Sequence, residues 1–242
     1  MKIEVSLSPA LYPFRTLHDG HATVAIDLLR ATTAVCAAMQ AGCECIVPLD
    51  TLDGIARYHN MGYAIAAERN GKKVDIPLPD GGTLVAEYGN SPTEYLKHDL
   101  HGLKLAYSTT NGTVSLLCAA DAELTLAGAF ANLSALCERL AMEQRDTVIL
   151  CSGWKNDFCM EDTLVAGAII ERLAHTAEPH GDAALMALHQ WQAAGGDAYN
   201  YCRDASHVHR LEGLGAHEDI VFAFRQDTCP VVPVLHDGIL TA

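Results

Sequence analysis

The chain has 242 residues, half of them hydrophobic, and a formal net charge of −14. Length and composition suit a folded chain with a large core rather than a disordered one. The charge, with no basic run, excludes sequence-independent nucleic-acid binding, which needs Lys and Arg against phosphates. No segment approaches the roughly 18 apolar residues of a membrane-spanning helix, and "MKIEVSLSPALYPF" has no signal-peptide core. A small anionic substrate stays compatible with global acidity, because a cleft sets its own local field.

In chain order, one syntax recurs: a short apolar run, a polar reversal, then a segment with helical spacing. The first copy is "ATVAID" followed by a helix through "TTAVCAAMQAG", with Gly42 in the C-terminal capping place. "ECIVPL" and "YAIAAE" are the next strands. The turn "YGNSP" leads to the second copy, "LKLAYS", "TTNGT" and the helical "VSLLCAA". Strand "AELTLAG" and a helix around "FANLSALCERLAM" come next. The third copy is "DTVILCSG", the loop "WKNDFCMED" and the helix "TLVAGAIIERLAH", in which Leu164, Ala168, Ile169 and Leu173 share a face.

After about Pro179 the spacing predicts mainly helix, "DAALMALHQWQAAG" and then "DAYNYCRDASHVHRLEGLG", closed by Gly213 and Gly215. Strands "DIVFAF" and "PVVPVL" follow, with "HDG" as a turn signal. Continuous apolar runs imply strands covered on both faces. The class is α/β, three layers α/β/α around a parallel or mixed sheet. No linker divides residues 1–242, which form one domain or two intimate subdomains.

The nine cysteines form no CxxC pair and lie mostly in apolar segments, so they read as buried free thiols of a reducing cytoplasm. The histidines form no HExxH motif, and His207 and His209, two apart, fall on different faces of a helix, against a zinc pair.

Polar loops at the carboxyl ends of strands in such a sheet converge on one site. Asp27 offers a carboxylate for a divalent cation, Arg30 a planar fork for phosphate oxygens, and Thr32 and Thr33 hydroxyls beside backbone N–H groups. Ordinary helix capping with a local Asp27–Arg30 ion pair is the alternative. "STTNGT" places Ser108, Thr109, Thr110, Asn111, Gly112 and Thr113 at one reversal, enough donors to wrap an anion, though it lacks the Lys of a P-loop. Asn90 and Ser91 belong to a turn that matters only if it folds against the others. Glu68, Glu161 and Asp162 complete the carboxylates, with a Glu68–Arg69 surface pair and first-turn dipole complementarity as their structural alternatives. Lys155, following "CSGW", reads as a solvated side chain, with a cation for a sulfonate or carboxylate as the alternative.

These parts make a kit for phosphoryl transfer: oxygen ligands for a Mg²⁺-like ion, one Arg and a nest of donors. Cys151 and Cys36 have Asp157 and Gly42 where a cysteine phosphatase needs Arg, and Asp27 lacks the second Asp of an Asp-x-Asp pair. A metal-activated water is therefore the nucleophile that fits, with Asp27 as attacking group the alternative.

The motifs "IDLLRATTAV", "AAERNG", "GNSPTEY", "STTNGT", "CSGW" with "MEDTLVAGAI", and "SHVHRLEGLGAHEDIVFAF" with "VVPVLHDGIL" occur in one order. In that order the chain resembles the 2-phosphosulfolactate phosphatase family over nearly its full length. The resemblance implies a cytoplasmic, Mg²⁺-dependent phosphatase that converts 2-phosphosulfolactate to sulfolactate and phosphate, a step in coenzyme M biosynthesis. It is compatible with a homo-oligomer. It places the family's polar positions on Asp27, Arg30, Thr32, Thr33, Glu68, Arg69, Asn70, Asn90, Ser91, Ser108 to Thr113, Glu161 and Asp162. "KKVDIPLPDGGTLVAEY" departs from the family's short connection, with a Gly-Gly turn and Glu87 expected near the site, so a different phosphorylated 2-hydroxy acid is one alternative substrate. A non-catalytic phosphoanion-binding protein is the other reading.

Overall fold

The predicted both-faces-covered strands are present in the computed structural model, which describes residues 1–242 except Pro79 and Ala120. Ala120, the last residue of the predicted "VSLLCAA" helix, lies outside the described residues. In chain order the strands are β1 (Lys2–Ser6), β2 (Ala22–Ile26), β3 (Cys45–Pro48), β4 (Ala64–Arg69), β5 (Lys72–Lys73), β6 (Ile76–Pro77), β7 (Thr83–Leu84), β8 (Lys104–Ser108), β9 (Leu124–Gly128), β10 (Thr147–Cys151), β11 (Glu178–His180), β12 (Val234–His236) and β13 (Ile239–Thr241). The α-helices are α1 (Ala31–Gln40), α2 (Ile55–Asn60), α3 (Pro92–Tyr95), α4 (Gly112–Cys118), α5 (Leu133–Glu143), α6 (Met160–Arg172), α7 (Asp182–Ala194), α8 (Ala198–Cys202), α9 (Ser206–Glu212) and α10 (His217–Ala223).

One mixed sheet runs in the order β11-β1-β10-β2-β9-β12-β13-β3-β8-β4-β5. Strands β11, β1, β10, β2 and β9 are mutually parallel, as are β3, β8 and β4. The C-terminal hairpin β12–β13 lies between these groups, antiparallel to β9 on one side and to β3 on the other. The last ten residues therefore weld two parallel half-sheets into one. Every residue of β2 and of β10 is buried, which is why their sequences read as unbroken apolar runs.

Helix α6 packs against α7 at Gly167, where a Cβ would collide with the Ala187 carbonyl oxygen and come 2.7 Å from Trp191 Cβ. The small residues of "LVAGA" thus set how closely the two helices approach. Eight cysteines are buried, Cys118 is exposed, and all are free thiols.

Several predicted elements differ. "DIVFAF" is helix α10, with Asp219, Ile220 and Ala223 buried along one helical face; a short apolar run does not distinguish period 2 from period 3.6. In "PVVPVL" only the end enters the sheet, because Pro230 and Pro233 have no N–H for a ladder. The "DAYNYCRDASHVHRLEG" segment breaks into α8 and α9, and Glu178–His180, read as the start of a helical region, is an edge strand. The "GNSP" turn runs on into α3, with Ser91 as its N-cap and Pro92 at its first position. Beyond β5, β6 and β7 pair antiparallel, Ile76 with Leu84 and Pro77 with Thr83, and the Leu78 N–H donates to Gly82 O at 2.9 Å. Glu87 Oε2 accepts the Ile65 N–H at 2.6 Å, so Glu87 secures the β4 edge instead of facing the site.

In a helix interior Gly→Ala ordinarily stabilises by about 0.5–1 kcal/mol. At Gly167 the collision reverses the sign: Gly167→Ala is expected to destabilise by about 1–3 kcal/mol, read as a lower urea midpoint at unchanged slope. A raised midpoint would show that α6 and α7 part without cost.

Candidate active site

Asp27 directly follows β2, and its side chain turns back on the chain: Oδ1 accepts the Ala31 N–H at 3.2 Å. Thr32 Oγ1 accepts the Asp27 N–H at 3.0 Å and donates to Asp27 O at 2.9 Å, while Thr33 Oγ1 donates to Leu28 O at 2.8 Å. The two threonine hydroxyls therefore build the reversal and are fully buried in it. Asp27 Oδ2 faces the start of α4, where a Cβ at Gly112 would meet Ala31 Cβ and come 2.8 Å from that oxygen. Glycine is what lets the "STTNGT" turn sit against the Asp27 reversal.

Arg30 does not pair with Asp27. Its Nη1 bonds Asp219 Oδ2 at 2.7 Å and its Nη2 donates to Gly71 O at 2.8 Å, both ion-pair partners being buried. Asp219 also accepts from Ser91 Oγ at 2.7 Å and Thr93 Oγ1 at 2.6 Å, tying α10 to α3. Sequence reasoning missed Asp219 because the strand assignment of "DIVFAF" hid its inward helical face.

Glu68 is 4% exposed, not half of a surface pair. It accepts the Thr110 N–H at 3.1 Å and also the Gly71 N–H. Arg69 turns away, donating to Glu68 O at 2.6 Å and Ser108 Oγ at 2.9 Å. Thr109 and Thr113 exchange bonds that close the turn, the Thr113 N–H donating to Thr109 Oγ1 at 3.2 Å. Asn90 Oδ1 accepts from the Tyr107 hydroxyl. Lys155 is exposed.

The carboxylates at the start of α6 have separate tasks. Asp162 Oδ1 accepts the Leu28 N–H at 2.9 Å and Oδ2 the Gly153 N–H at 3.0 Å, so it latches the chain after β2 to the chain after β10. Glu161 Oε1 lies 2.7 Å from His207 Nδ1, and Glu161 Oε2 is buried with no partner. Arg210 Nη2 donates to His207 Nε2 at 2.7 Å, which places the ring proton on Nδ1, where it donates to Glu161.

Cys159, Glu161 and His207 bring their ligand atoms within 4.8 Å of one another. The Arg210 bond opposes metal ligation through Nδ1, since that would put an N–H on Nε2 facing a guanidinium donor. His209, by contrast, is exposed. Arg210 lies over the Trp154 ring at 3.8 Å from its centroid. His207, Arg210 and Trp154 were signalled only by sitting inside the "SHVHR" and "CSGW" motifs.

A narrow cleft gathers Asp27, Leu29, Arg30, Glu68, Gly71, Asn90, Thr110, Asn111, Trp154, Arg210 and Leu211. Of the predicted residues, Asp27, Arg30, Glu68, Asn90, Thr110 and Asn111 line it, while Thr32, Thr33, Arg69, Ser91, Ser108, Thr109, Gly112, Thr113, Glu161 and Asp162 do not. A larger open depression near Met1, Lys2, Asp146 and Glu178, at the amino ends of β1 and β10, contains none of them.

Burial pushes the Asp27 carboxyl up to about 6; Glu68 and Glu161 add to the rise, and His207 and the Ala31 N–H oppose it. Asp162 is raised well above the usual carboxylate range, by burial first and then by Glu161 and Asp27, despite its two backbone donors. Glu161 Oε2 has no partner and Asp27 Oδ2 no hydrogen bond among the described residues, and free carboxylate oxygens of this kind are the ligands a hard divalent cation such as Mg²⁺ takes.

Buried carboxylates, guanidinium groups and a hydroxyl-rich turn at the carboxyl ends of parallel strands define a phosphoester hydrolase of the α/β class. The model of the 2-phosphosulpholactate phosphatase family matches residues 7–238, and the chain belongs to that family of phosphoric monoester hydrolases. It is 33% identical to a probable 2-phosphosulfolactate phosphatase of Thermotoga petrophila over 89% of each chain. It is also 33% identical to one of Cyanothece sp. and 32% identical to one of Synechocystis sp., each over 100% of both chains. No helix among the described residues is long and apolar enough to cross a membrane.

A carboxyl raised in the folded state binds its proton more tightly there, so below about pH 4 Asp27 is neutral folded or unfolded and is neutral to stability. Between about pH 4 and about 6 the unfolded chain ionises while the folded carboxyl keeps its proton, so the cost to the fold grows over that window and is complete above it. In cation-free buffer Asp27→Asn, which keeps the acceptor for Ala31, is expected to exceed the native chain by about 3 kcal/mol at about pH 7.5, the gap closing near pH 4. Denaturation curves at both pH values check this; a variant weaker at both would contradict it.

Proposed function

We propose that the chain hydrolyses 2-phosphosulfolactate to sulfolactate and phosphate, using a Mg²⁺ ion held by Asp27 and Glu161 with Glu68 beside them. The observation that carries this reading is the buried Glu161 Oε2, which has no partner among the described residues, together with an Asp27 whose ionisation is opposed by burial and by the Glu161 charge. A buried carboxylate oxygen without a donor is unfavourable unless a cation meets it. Bound there, Mg²⁺ would supply Lewis-acid polarisation of a phosphoryl oxygen and a water of lowered pKa.

The protein's own groups account for the rest. Arg30, fixed at two points by Asp219 and Gly71 O, holds its guanidinium at the cleft without having to be ordered by the substrate. Asn111 brings an amide to the same cleft, so charge spreading over the phosphoryl oxygens in the transition state meets polar groups already in place. His207 holds Glu161 Oε1 and so aims Oε2. The Asp162 latch keeps Asp27 and the Trp154 loop in register. The reading carries with it a cytoplasmic enzyme of small anionic esters on the route to coenzyme M, as the resemblance to the family implies.

The test is phosphate release from 2-phosphosulfolactate by purified protein after chelation, with and without added Mg²⁺. Activity is expected only with the metal, and Asp27→Asn and Glu161→Gln are each expected to lower kcat by about 100-fold or more. Full activity in Asp27→Asn, or in the chelated protein, would remove the metal-assisted mechanism. Phosphoester binding without turnover would leave a binding protein.

A further inference from the structure

Three guanidinium groups stand at or beside the cleft, and two are already matched. Arg30 has the Asp219 carboxylate and Gly71 O; Arg69 has Glu68 O and Ser108 Oγ. Arg210 differs. It forms no ion pair among the described residues, where Arg30 has its pair with Asp219. Its Nη2 is engaged by His207 Nε2, its Nε–H is buried with no acceptor, and its Nη1 donates to none of the described residues. Burial lowers its pKa, as expected of a cation taken partly out of water without a counter-charge in contact.

Two contacts hold this open cation in place. The Trp154 ring supports its face at 3.8 Å, and the His207 bond fixes its rotation. A guanidinium ordered in this way has little rotamer entropy left to lose, and its fork matches two oxygens of one acidic group. The cleft thus contains one cation committed to an internal carboxylate and one that is ordered but unmatched.

We propose that Arg210 determines specificity by receiving a second acidic group of the substrate, the carboxylate or sulfonate that remains on the product. The substrate class is then a phosphate monoester bearing an acidic group near the ester carbon, and a plain alkyl phosphate lacks what the site reads. The identity of the ligand rests on the proposed phosphatase reading; the unmatched cation does not.

Four esters separate the sources of the anion: 2-phosphosulfolactate, 2-phospholactate with a carboxylate alone, O-phosphoisethionate with a sulfonate alone, and isopropyl phosphate with neither. In Arg210→Gln the ratio of kcat/KM for 2-phosphosulfolactate to that for isopropyl phosphate is expected to fall about 30-fold or more, mainly through KM. Arg210→Lys keeps the charge, loses the fork and is expected to fall in the same direction. The single-acid ester whose ratio falls alongside identifies the group read. A ratio unchanged in both variants overturns the proposal, as does a loss shared equally by isopropyl phosphate, which would make Arg210 a support of His207 only. If the unsubstituted protein hydrolyses none of the esters, the proposed function fails, and binding of sulfolactate read by tryptophan fluorescence decides Arg210 independently. Affinity about tenfold or more weaker in Arg210→Gln supports the proposal, and equal affinity overturns it.

Discussion

Carboxylates out of water are the constraint around which this molecule is arranged. Asp27, Glu68, Glu161, Asp162 and Asp219 are all buried, and an unpaired buried charge is among the most unfavourable features a fold can carry. Four of them are answered from within. Asp162 takes two backbone N–H groups, Glu68 takes the Thr110 and Gly71 N–H groups, Asp219 takes Arg30 and two hydroxyls, and Asp27 takes the Ala31 N–H on one oxygen. Glu161 is answered on one side by His207 and on the other by nothing among the described residues. The acids that hold the fold thus have partners, and Glu161 keeps one oxygen without a donor among the described residues.

The sheet explains how these groups meet. Asp27 and Gly153 follow strands of one parallel half, whereas Glu68 and Thr110 belong to the other. Among the described residues the halves of the sheet join through the β12–β13 hairpin, residues Val234–Thr241. Helices α9 and α10, which precede that hairpin, supply His207, Arg210 and Asp219. The C-terminal segment therefore both closes the sheet and provides the cationic and hydrogen-bonding wall of the cleft.

Much of the architecture was legible because fully buried strands and glycine-ended helices leave strong local marks. The strands read in "ATVAID", "LKLAYS" and "DTVILCSG" end at Ile26, Ser108 and Cys151, within two residues of where each run stops, and polar residues after them meet in one region. Where local marks conflict, the reading failed. "DIVFAF" is six residues of mostly apolar sequence with no glycine to fix its period, and it is a helix. At the site, residue type indicated chemistry but not assignment: Thr32 and Thr33 carry donors suited to an anion, yet both bond their own backbone, since a hydroxyl at a helix start finds a carbonyl sooner than a ligand.

By itself the sequence determined the α/β class, the places where strands give way to polar reversals and the family to which the chain belongs. These follow from periodicities and side-chain types that act over a few residues. Tertiary structure alone decided that Arg30 pairs with Asp219, 189 positions away, that Asp162 latches two loops, and that Arg210 stands ordered on Trp154 without a counter-charge. Such pairings depend on which side chains burial brings within hydrogen-bond reach, and no local pattern encodes a distance between residues so far apart in the chain.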